Sequence, residues 1–414
     1  MSKSAPFTFL SSFLSSFHSP SSFPRSLFKH TAKFPCNKLL RRSLAFHLYP
    51  APAYRNRSLH SLISQTRSSM TTTDSSTIGN SRAAGPIYVQ GVPTPETRLI
   101  LGGSLSVSPM AIGTWAWGDS AWGYKPEMFE DIAATWDALQ DESSGINFFD
   151  TAEMYGKGES EKIIGRLLKK SAGEGKTLPV IATKFIPFPW RVRFPSSLLN
   201  ALKGSMERLG VDVVDLFQIH GPVSLRSIEV LADALAESVK LGLVKTVGVS
   251  NYSIDELVRM HTALAKHGIQ LASNQVEFSL LRRLPETSGL IAKCHELGVA
   301  VLAYSPLAMG RLTGKYSAEN PPPSGRKFSN YPMKELAPLL AVMERIAKEH
   351  DVPMSAVALN YTICKGTIPL GGARNPEQAR QNAKALGWRL SDQEIAELDS
   401  MGKVGSTGLF WQHG

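Results

Sequence analysis

The stretch Asp150-Thr-Ala-Glu-Met-Tyr155-Gly directly follows an apolar run, Ile146 to Phe149, of the kind that forms a buried strand. Two later runs end in the same way, since Val-Ile-Ala-Thr precedes Lys184 and Leu-Phe-Gln-Ile precedes His220. The carboxyl ends of parallel strands converge on one face, so we expect these polar residues to meet although they lie far apart in sequence. Burying a charged residue is unfavourable unless it has a partner or a function, so the pattern predicts an active site.

The four polar residues have complementary chemistry. A tyrosine hydroxyl, with an unperturbed pKa near ~10, protonates a carbonyl oxygen poorly at neutral pH unless a nearby cation stabilises its phenolate. Lys184 is predicted to be that cation for Tyr155, and Asp150 is predicted to hold the ammonium charged and in place. His220 is predicted to donate a hydrogen bond to the substrate oxygen.

Eight apolar runs of strand length alternate with helical patterns along the chain. After the runs, apolar residues recur every three or four positions, as an amphipathic helix requires. Examples are Ile228 to Leu241, Asp255 to Lys266 and Leu336 to His350. Eight such repeats in about 300 residues predict an α/β fold, the (β/α)8 or TIM barrel. Leu99 to Val107, broken by glycines, predicts a β-hairpin before it. The eight runs are Met110 to Ile112, Ile146 to Phe149, Val180 to Ala182, Val213 to Ile219, Val244 to Val249, Leu271 to Val276, Val299 to Ala303 and Thr367 to Leu370.

A doubly wound nucleotide-binding sheet is the alternative fold. That fold requires Gly-x-Gly-x-x-Gly directly after a first strand. The nearest candidate, Gly156-Lys-Gly158, has Glu161 where the third glycine should be. The barrel is therefore favoured, and a second domain is not needed.

Three motifs in order make the chain resemble the aldo-keto reductase family, over roughly residues 98 to 402. They run from Asp150 to Glu161, from Gly248 to Tyr252 and from Tyr304 to Leu307. The resemblance implies an oxidoreductase that reduces an aldehyde or ketone to an alcohol, with hydride from NADPH and a proton from the tyrosine. It implies a catalytic tetrad of Asp150, Tyr155, Lys184 and His220.

The resemblance also implies a set of cofactor-binding residues. Ser250, Asn251 and Gln275 should hydrogen-bond the nicotinamide carboxamide. Arg374 opens a helix, whose N-terminus suits a phosphate, and its planar donor fork should meet the 2'-phosphate that distinguishes NADP from NAD. The alternative for Ser250 and Asn251, as short polar residues after a strand, is that they cap a helix. The alternative for Lys315 is that it is an ordinary surface lysine. The full predicted set is Gly113, Thr114, Ser250, Asn251, Gln275, Tyr304, Ser305, Leu307, Lys315, Gly372, Arg374, Gln378 and Asn382.

A nearby serine argues against the interpretation of Ser250 and Asn251 as helix caps. Ser253 is the better N-cap for the helix after the fifth strand, which leaves Ser250 and Asn251 for another role.

Aromatic residues are grouped in the loops at the predicted catalytic end. Trp115, Trp117 and Trp190 are predicted to bind substrate, and the grouping favours an apolar or ring-bearing carbonyl compound. The alternative is that about half of these side chains only pack the loops onto the barrel. Neither Cys294 nor Cys364 lies in a metal-ligand cluster, so no metal site is predicted.

The formal net charge of +10 comes from the first part of the chain. Ten of the 45 basic residues precede Asp74, the first acidic residue, which leaves 35 basic against 35 acidic residues. This balance excludes a basic face for nucleic acid. The Ser-, Phe- and Leu-rich, acid-free segment 1–70 predicts a disordered, cleaved chloroplast transit peptide, the alternative being a basic tail, and the stroma as location. Residues 71–97 predict a linker and residues 98–414 the barrel. No apolar run reaches the ~20 residues that span a bilayer.

Three functional alternatives remain open. Plant chloroplast members of the family, including the pyridoxal reductase type of vitamin B6 metabolism, share the segments Gly113 to Gly118 and Ile363 to Thr367. Other members of the family bind NADPH but act mainly as redox sensors through a partner protein. A phosphate-handling barrel enzyme ranks last, because it does not explain why the four tetrad residues occur together.

Overall fold

Eight parallel strands close into a barrel in this computed structural model, which describes residues 85–326, 328–408 and 411–414. A hairpin of β1 (Leu99–Leu101) and β2 (Leu105–Val107) precedes the barrel. The (β/α)8 prediction and the hairpin are confirmed. The barrel strands are β3 (Ala111–Gly113), β4 (Phe148–Asp150), β5 (Val180–Phe185), β6 (Val214–Ile219), β7 (Val244–Ser250), β8 (Leu271–Glu277), β9 (Ala300–Tyr304) and β10 (Ile368–Gly372), and β10 pairs with β3 to close the ring.

Amphipathic helices cover the outside of the barrel and bury their apolar stripes against it. Ser253 caps the helix after β7 in a capping box with Glu256, as its position predicted. Among the described residues, no helix is long and apolar enough to cross a membrane. The helices are α1 (Phe129–Leu139), α2 (Glu159–Gly173), α3 (Ser196–Leu209), α4 (Ile228–Lys240), α5 (Ile254–Ala265), α6 (Leu284–Thr287), α7 (Leu290–Glu296), α8 (Met333–Glu349), α9 (Met354–Cys364), α10 (Pro376–Ala383) and α11 (Asp392–Met401).

Several strands run further than their apolar runs. Strand β4 ends on Asp150, β5 includes Lys184, and β8 continues through Gln275 to Glu277. A polar side chain does not end a strand when other polar groups in the barrel interior satisfy its hydrogen bonds. The strands therefore carry the candidate site residues instead of stopping before them.

The barrel interior is filled by side chains at the level of Gln218. Gly248 on β7 lies beside Gln218 on β6 and Ser273 on β8. A methyl group on Gly248 would overlap the Ser273 hydroxyl and lie 3.1 Å from Cγ of Gln218. A residue without a side chain is required there because its two neighbours occupy the space.

The predicted linker is wrong for residues 85–97. Val89 is buried in the core, and Tyr88 stacks on His295 with 4.1 Å between ring centroids. The amide of Ile100 in β1 donates to the Pro86 carbonyl. Scattered apolar residues in a polar, proline-rich stretch are enough to dock it on a barrel that already exists. The predicted transit peptide and residues 71–84 lie outside the described residues.

Candidate active site

Asp150 and Lys184 form a buried ion pair at the carboxyl ends of neighbouring strands. The Lys184 ammonium donates to Asp150 Oδ1 and, at 2.8 Å, to the carbonyl of Thr151. Its Nζ lies 3.4 Å from the Tyr155 hydroxyl oxygen. The lysine side chain is fully buried and the aspartate side chain is 2% exposed, so water does not screen the pair. The structure thus brings together three residues that the sequence placed on one face.

The second oxygen of Asp150 accepts two amide hydrogen bonds. Gln275 Nε2 donates to Oδ2 at 2.9 Å and Gln218 Nε2 at 3.2 Å. The sequence prediction missed Gln218. It lies two residues before His220 on β6, so strand alternation places both on the inward face and could have identified it. The amide of Gln275 thus helps to fix the carboxylate, and its predicted contact with the nicotinamide carboxamide stays a prediction.

Tyr155 begins a short 3-10 turn, Tyr155–Gly158, immediately before α2. Gly156 has φ of 56°, and a methyl group there would overlap the Gly118 carbonyl. Asp119 joins the same contact, because its Oδ2 accepts from the amide of Gly156 and, at 2.8 Å, from Nε1 of Trp115. The tyrosine is therefore held by close packing of its turn on the loop after β3.

Burial shifts the pKa of both the tyrosine and the lysine. Burial, followed by the Asp150 charge, raises the pKa of Tyr155 well above its ordinary value. Burial also lowers the pKa of Lys184, although Asp150 opposes that change. Burial and the Asp150 charge both act against ionisation of the tyrosine, so the predicted role of Lys184 in stabilising a phenolate applies to the reaction and stays a prediction. Tyr155 is therefore protonated at neutral pH and available as a proton donor.

His220 follows β6 and faces the tyrosine. The two rings meet edge to face with 5.7 Å between centroids. Burial, followed by the Lys184 charge, lowers the pKa of His220 well below its ordinary value. Its Nδ1 is buried without a hydrogen-bond partner among the described residues. A neutral imidazole can donate one N–H hydrogen bond. A buried ring nitrogen without a protein partner indicates a site that binds a polar ligand group.

The predicted nicotinamide residues form one hydrogen-bonded chain beside the tetrad. Ser250 Oγ donates to the Gln275 carbonyl at 2.8 Å, and Asn251 Nδ2 donates to that Ser250 oxygen at 3.0 Å. Tyr304 Oη donates to Asn251 Oδ1 at 3.0 Å. These contacts fix a serine, an amide and an aromatic ring at the ends of β7 and β9.

Cationic side chains cluster where the phosphates of a dinucleotide are predicted to bind. Arg374 donates to the Trp122 carbonyl, and Arg326 lies 3.6 Å above the Trp122 ring centroid. Burial lowers the pKa of Arg326, and the charges of Arg374 and Arg311 lower it further. Among the described residues, no carboxylate pairs with these three guanidinium groups. The sequence prediction missed Arg326, because a loop arginine carries no periodic signal.

Two members of the predicted set serve the barrel instead. Trp117 is fully buried and donates through Nε1 to the Ala373 carbonyl at 2.7 Å, so the prediction that it binds substrate is wrong. Thr114 is also fully buried, and its hydroxyl bonds to the Asp150 carbonyl and to Ser160. That side chain is not available to a cofactor, because the chain turns it towards α2.

The loop after β10 uses two predicted cofactor residues for its own support. Gln378 Oε1 accepts from the amide of Arg374 at 2.9 Å, and Asn382 Nδ2 donates to the Gly372 carbonyl at 3.1 Å. Lys315 is exposed, with its Nζ 5.6 Å from the Tyr316 ring centroid. Contact of these residues with a cofactor stays a prediction, as it does for Gly113, Ser305 and Leu307, which lie at or just after the ends of β3 and β9.

Aromatic rings surround the tetrad. Trp115 stacks on Tyr155 with 5.8 Å between centroids, and Trp411 lies 5.2 Å from the His220 ring. Trp190 is 65% exposed and stacks on Phe188 at 4.4 Å, so a role for it in substrate binding stays a prediction. The rings beside the tetrad favour a carbonyl compound with apolar surface.

Comparison with known proteins identifies the family to which this site belongs. The sequence pattern of the Aldo/keto reductase family matches residues 109–403. The chain belongs to that family. A chloroplastic pyridoxal reductase of Arabidopsis thaliana is 39% identical to this aldo/keto reductase over 312 residues, 73% of this chain and 85% of that protein.

Solved structures share the fold of this aldo/keto reductase. The glycerol dehydrogenase of Gluconobacter oxydans matches with a TM-score of 0.65 at 28% identity, covering 76% of this chain and 98% of that one. An aldo-keto reductase from Klebsiella pneumoniae in complex with NADPH matches with a TM-score of 0.59 at 23% identity, covering 75% and 96%. The family and the fold thus agree with the predictions made from the tetrad motifs.

Proposed function

We propose that this aldo/keto reductase reduces an aldehyde or ketone to an alcohol with NADPH. The observation that carries the proposal is the tetrad geometry: a protonated tyrosine lies 3.4 Å from a buried lysine that Asp150 holds in place. A proton donor, a cation and a neutral imidazole at one point suit an oxygen that gains negative charge.

The residues present fit a dinucleotide with a 2'-phosphate. NADPH, when bound, supplies the hydride. The guanidinium groups of Arg326 and Arg374 would hold its 2'-phosphate, since both contact Trp122 and the Arg374 charge lowers the pKa of Arg326. Ser250 and Asn251 would bind the carboxamide, and Tyr304 would stack on the ring.

The tetrad residues divide the work on the carbonyl oxygen. Tyr155 donates its proton to that oxygen as negative charge develops there. Lys184, held by Asp150, lies beside the hydroxyl and stabilises the phenolate that remains. His220 stays neutral and donates an N–H to the same oxygen, which orients the substrate.

The test is consumption of NADPH by the full-length protein across a carbonyl panel. The panel holds pyridoxal, an aromatic aldehyde, methylglyoxal and a quinone. Turnover of any member supports the proposal and names the substrate class. NADPH that stays bound through gel filtration with no turnover on the whole panel would contradict it and favour the redox-sensor alternative.

Pyridoxal is the second candidate, as one specific case of the same reaction. The observation that favours it is the 39% identity to the Arabidopsis pyridoxal reductase. Pyridoxal is also a ring-bearing aldehyde, which suits a pocket bordered by Trp115 and Trp411. A kcat/KM for pyridoxal far above that for benzaldehyde would favour this assignment, and the reverse order would remove it.

We also propose that the protein is imported into the chloroplast stroma. The support is the acid-free, hydroxylated segment 1–70 and the chloroplastic location of the Arabidopsis relative. Import of the full-length chain into isolated chloroplasts, with loss of about 70 residues, is the expected result. Retention at full length outside the organelle would contradict it.

The Arg374→Ala variant is expected to narrow the preference for NADPH over NADH by about tenfold. This is the effect of losing one charge-assisted hydrogen bond of ~1.5 kcal/mol to the 2'-phosphate. The measurement is kcat/KM for both cofactors. Arg380→Ala is the matched control, because Arg380 lies on α10, which follows the loop that contains Arg374, and its ion pair among the described residues is with Glu377, at 3.9 Å. An unchanged ratio in Arg374→Ala would mean that the 2'-phosphate is held elsewhere.

Acid is expected to destabilise the protein through His220. The fold lowers the pKa of this imidazole, so below about pH 6.5 the unfolded chain binds a proton that the folded protein does not. The stability contributed by His220 is complete above that pH and falls by at most about 1.4 kcal/mol per pH unit below it. His220→Gln should lose less of its urea unfolding free energy than wild type between about pH 7 and pH 5. Equal losses would contradict the assignment.

A further inference from the structure

Glu277 is a buried carboxylate with two different partners. It ends β8, and only 2% of it is exposed. Oε1 accepts from the Ser329 hydroxyl at 2.6 Å, and Oε2 accepts from the side-chain amide of Gln412. Arg282 supplies the compensating charge, with Nε 3.8 Å from Oε2. The two hydrogen-bond donors come from parts of the chain more than eighty residues apart.

Each donor belongs to a segment that brings an aromatic ring to the active site. The loop segment, residues 328–331, contains Phe328, whose ring lies 6.1 Å from Trp115 and 5.7 Å from Tyr304. The tail segment, residues 411–414, contains Trp411, whose ring lies 5.2 Å from His220. Both rings therefore border the space in which a carbonyl substrate would meet the tetrad.

Both segments contact Tyr304, the loop segment through the Phe328 ring and the tail segment through Gln412. Gln412 Nε2 lies between the carboxylate and the tyrosine, 3.2 Å from Tyr304 Oη. The next amide of the tail segment, that of His413, donates to the Asn251 carbonyl at 3.2 Å. The position of the tail is thus linked both to Glu277 and to the residues assigned to the nicotinamide.

We propose that Glu277 is a positioning residue that joins the loop segment to the tail segment and thereby sets the shape of the substrate pocket. It touches neither substrate nor cofactor in this assignment. The proposal rests on the carbonyl reductase function proposed above and extends it to the device that selects among carbonyl substrates.

A carboxylate suits this position for a physical reason. Two donors from two segments need two acceptor oxygens in fixed directions, which an ionised carboxyl group provides. Burying that charge is unfavourable, as the raised pKa of Glu277 shows, and the cost is offset by Arg282 and the two hydrogen bonds. A glutamine keeps one acceptor oxygen, whereas an alanine keeps none.

Other contacts hold the segments near the barrel when Glu277 is lost. Arg311 donates to the side chain of Asn330 at 2.7 Å and to the carbonyl of Arg326 at 3.1 Å. Arg282 donates to the carbonyl of Gly414. Removing the carboxylate therefore loosens the orientation of the two rings without releasing the segments.

The first experiment compares substrates of two sizes in Glu277→Ala. We expect kcat/KM for a bulky aromatic aldehyde to fall about tenfold, mainly through KM, because the rings that orient it are loosened. The kcat/KM for methylglyoxal, which needs only the tetrad, should fall by less than about threefold. Glu277→Gln should recover at least half of the lost selectivity on a logarithmic scale. Equal losses for both substrates would overturn the proposal.

A second variant guards against a folding defect from an unpaired Arg282. The double substitution Ser329→Ala and Gln412→Ala removes both hydrogen bonds and leaves the Glu277 to Arg282 pair in place. It should reproduce the selectivity change of Glu277→Ala, whereas each single substitution should give only part of it. A double variant with wild-type selectivity would overturn the proposal.

A measurement without turnover separates this proposal from the proposed function. The fluorescence of Trp411 is the difference in tryptophan fluorescence between a protein and its Trp411→Phe counterpart, and the measurement is the quenching of that difference by acrylamide. Glu277→Ala should raise the quenching of Trp411 at least about twofold. Higher quenching with no turnover by wild type would support the positioning role and contradict carbonyl reduction. Unchanged quenching in Glu277→Ala, with an active wild type, would contradict the positioning role and leave carbonyl reduction supported.

Discussion

Carbonyl reduction by Tyr155→Phe is expected to fall by at least ~100-fold, the lower range for losing a general acid. The hydroxyl is the group of this residue that lies beside Lys184, and burial raises its pKa further above neutrality, so it is protonated in the free protein. The phenylalanine ring can keep the stacking contact with Trp115. NADPH binding should therefore survive, and the loss should appear in kcat for every substrate of the panel.

Tyr252→Phe is the matched control for this prediction. Tyr252 is fully buried, and its hydroxyl has no hydrogen-bond partner among the described residues. Removing a buried hydroxyl without a partner should leave turnover within about twofold of wild type and stability equal or higher. Near wild-type turnover in Tyr155→Phe would refute the assigned proton donor.

Lys184→Met is expected to abolish activity and to destabilise the fold by about 3–5 kcal/mol. The substitution leaves the Asp150 carboxylate buried without its cation, which is the costly way to break a buried ion pair. The two amides that donate to the other oxygen, from Gln275 and Gln218, offset only part of that charge. Urea unfolding and NADPH consumption measure the two effects.

Adding Asp150→Asn to this variant separates stability from catalysis. An asparagine can still accept the Gln275 hydrogen bond, and no charge remains buried. The double variant should recover at least about 2 kcal/mol of the lost stability and none of the activity. Recovered activity would mean that the lysine serves the fold only.

Strand order and strand ends made the tetrad predictable. Asp150, Lys184 and His220 follow three consecutive apolar runs, and parallel strands in a barrel bring such positions to one face without further information. The register agrees, since Lys184 lies opposite Gln218, two residues before His220. The family and the fold could be deduced because they depend on short-range patterns repeated along the chain.

The pocket walls were less predictable because they depend on loop paths. Trp115 and Trp117 are two residues apart, yet one stacks on Tyr155 and the other is buried against the loop after β10. Glu277 accepts its hydrogen bonds from donors more than fifty residues away in sequence, and Arg326 lies on the ring of Trp122, more than two hundred residues away. Composition and periodicity contain no signal for contacts of that kind.

The indole of Trp411 lies on Gly221, the residue after His220. A methyl group on Gly221 would lie 2.9 Å from that ring, closer than carbon atoms tolerate. A homologue with any side chain at this position cannot place an indole there and must route its C-terminal segment differently. The amino acid after the histidine is therefore a marker, readable from sequence alone, for which members of the family share this pocket wall and which have diverged in substrate.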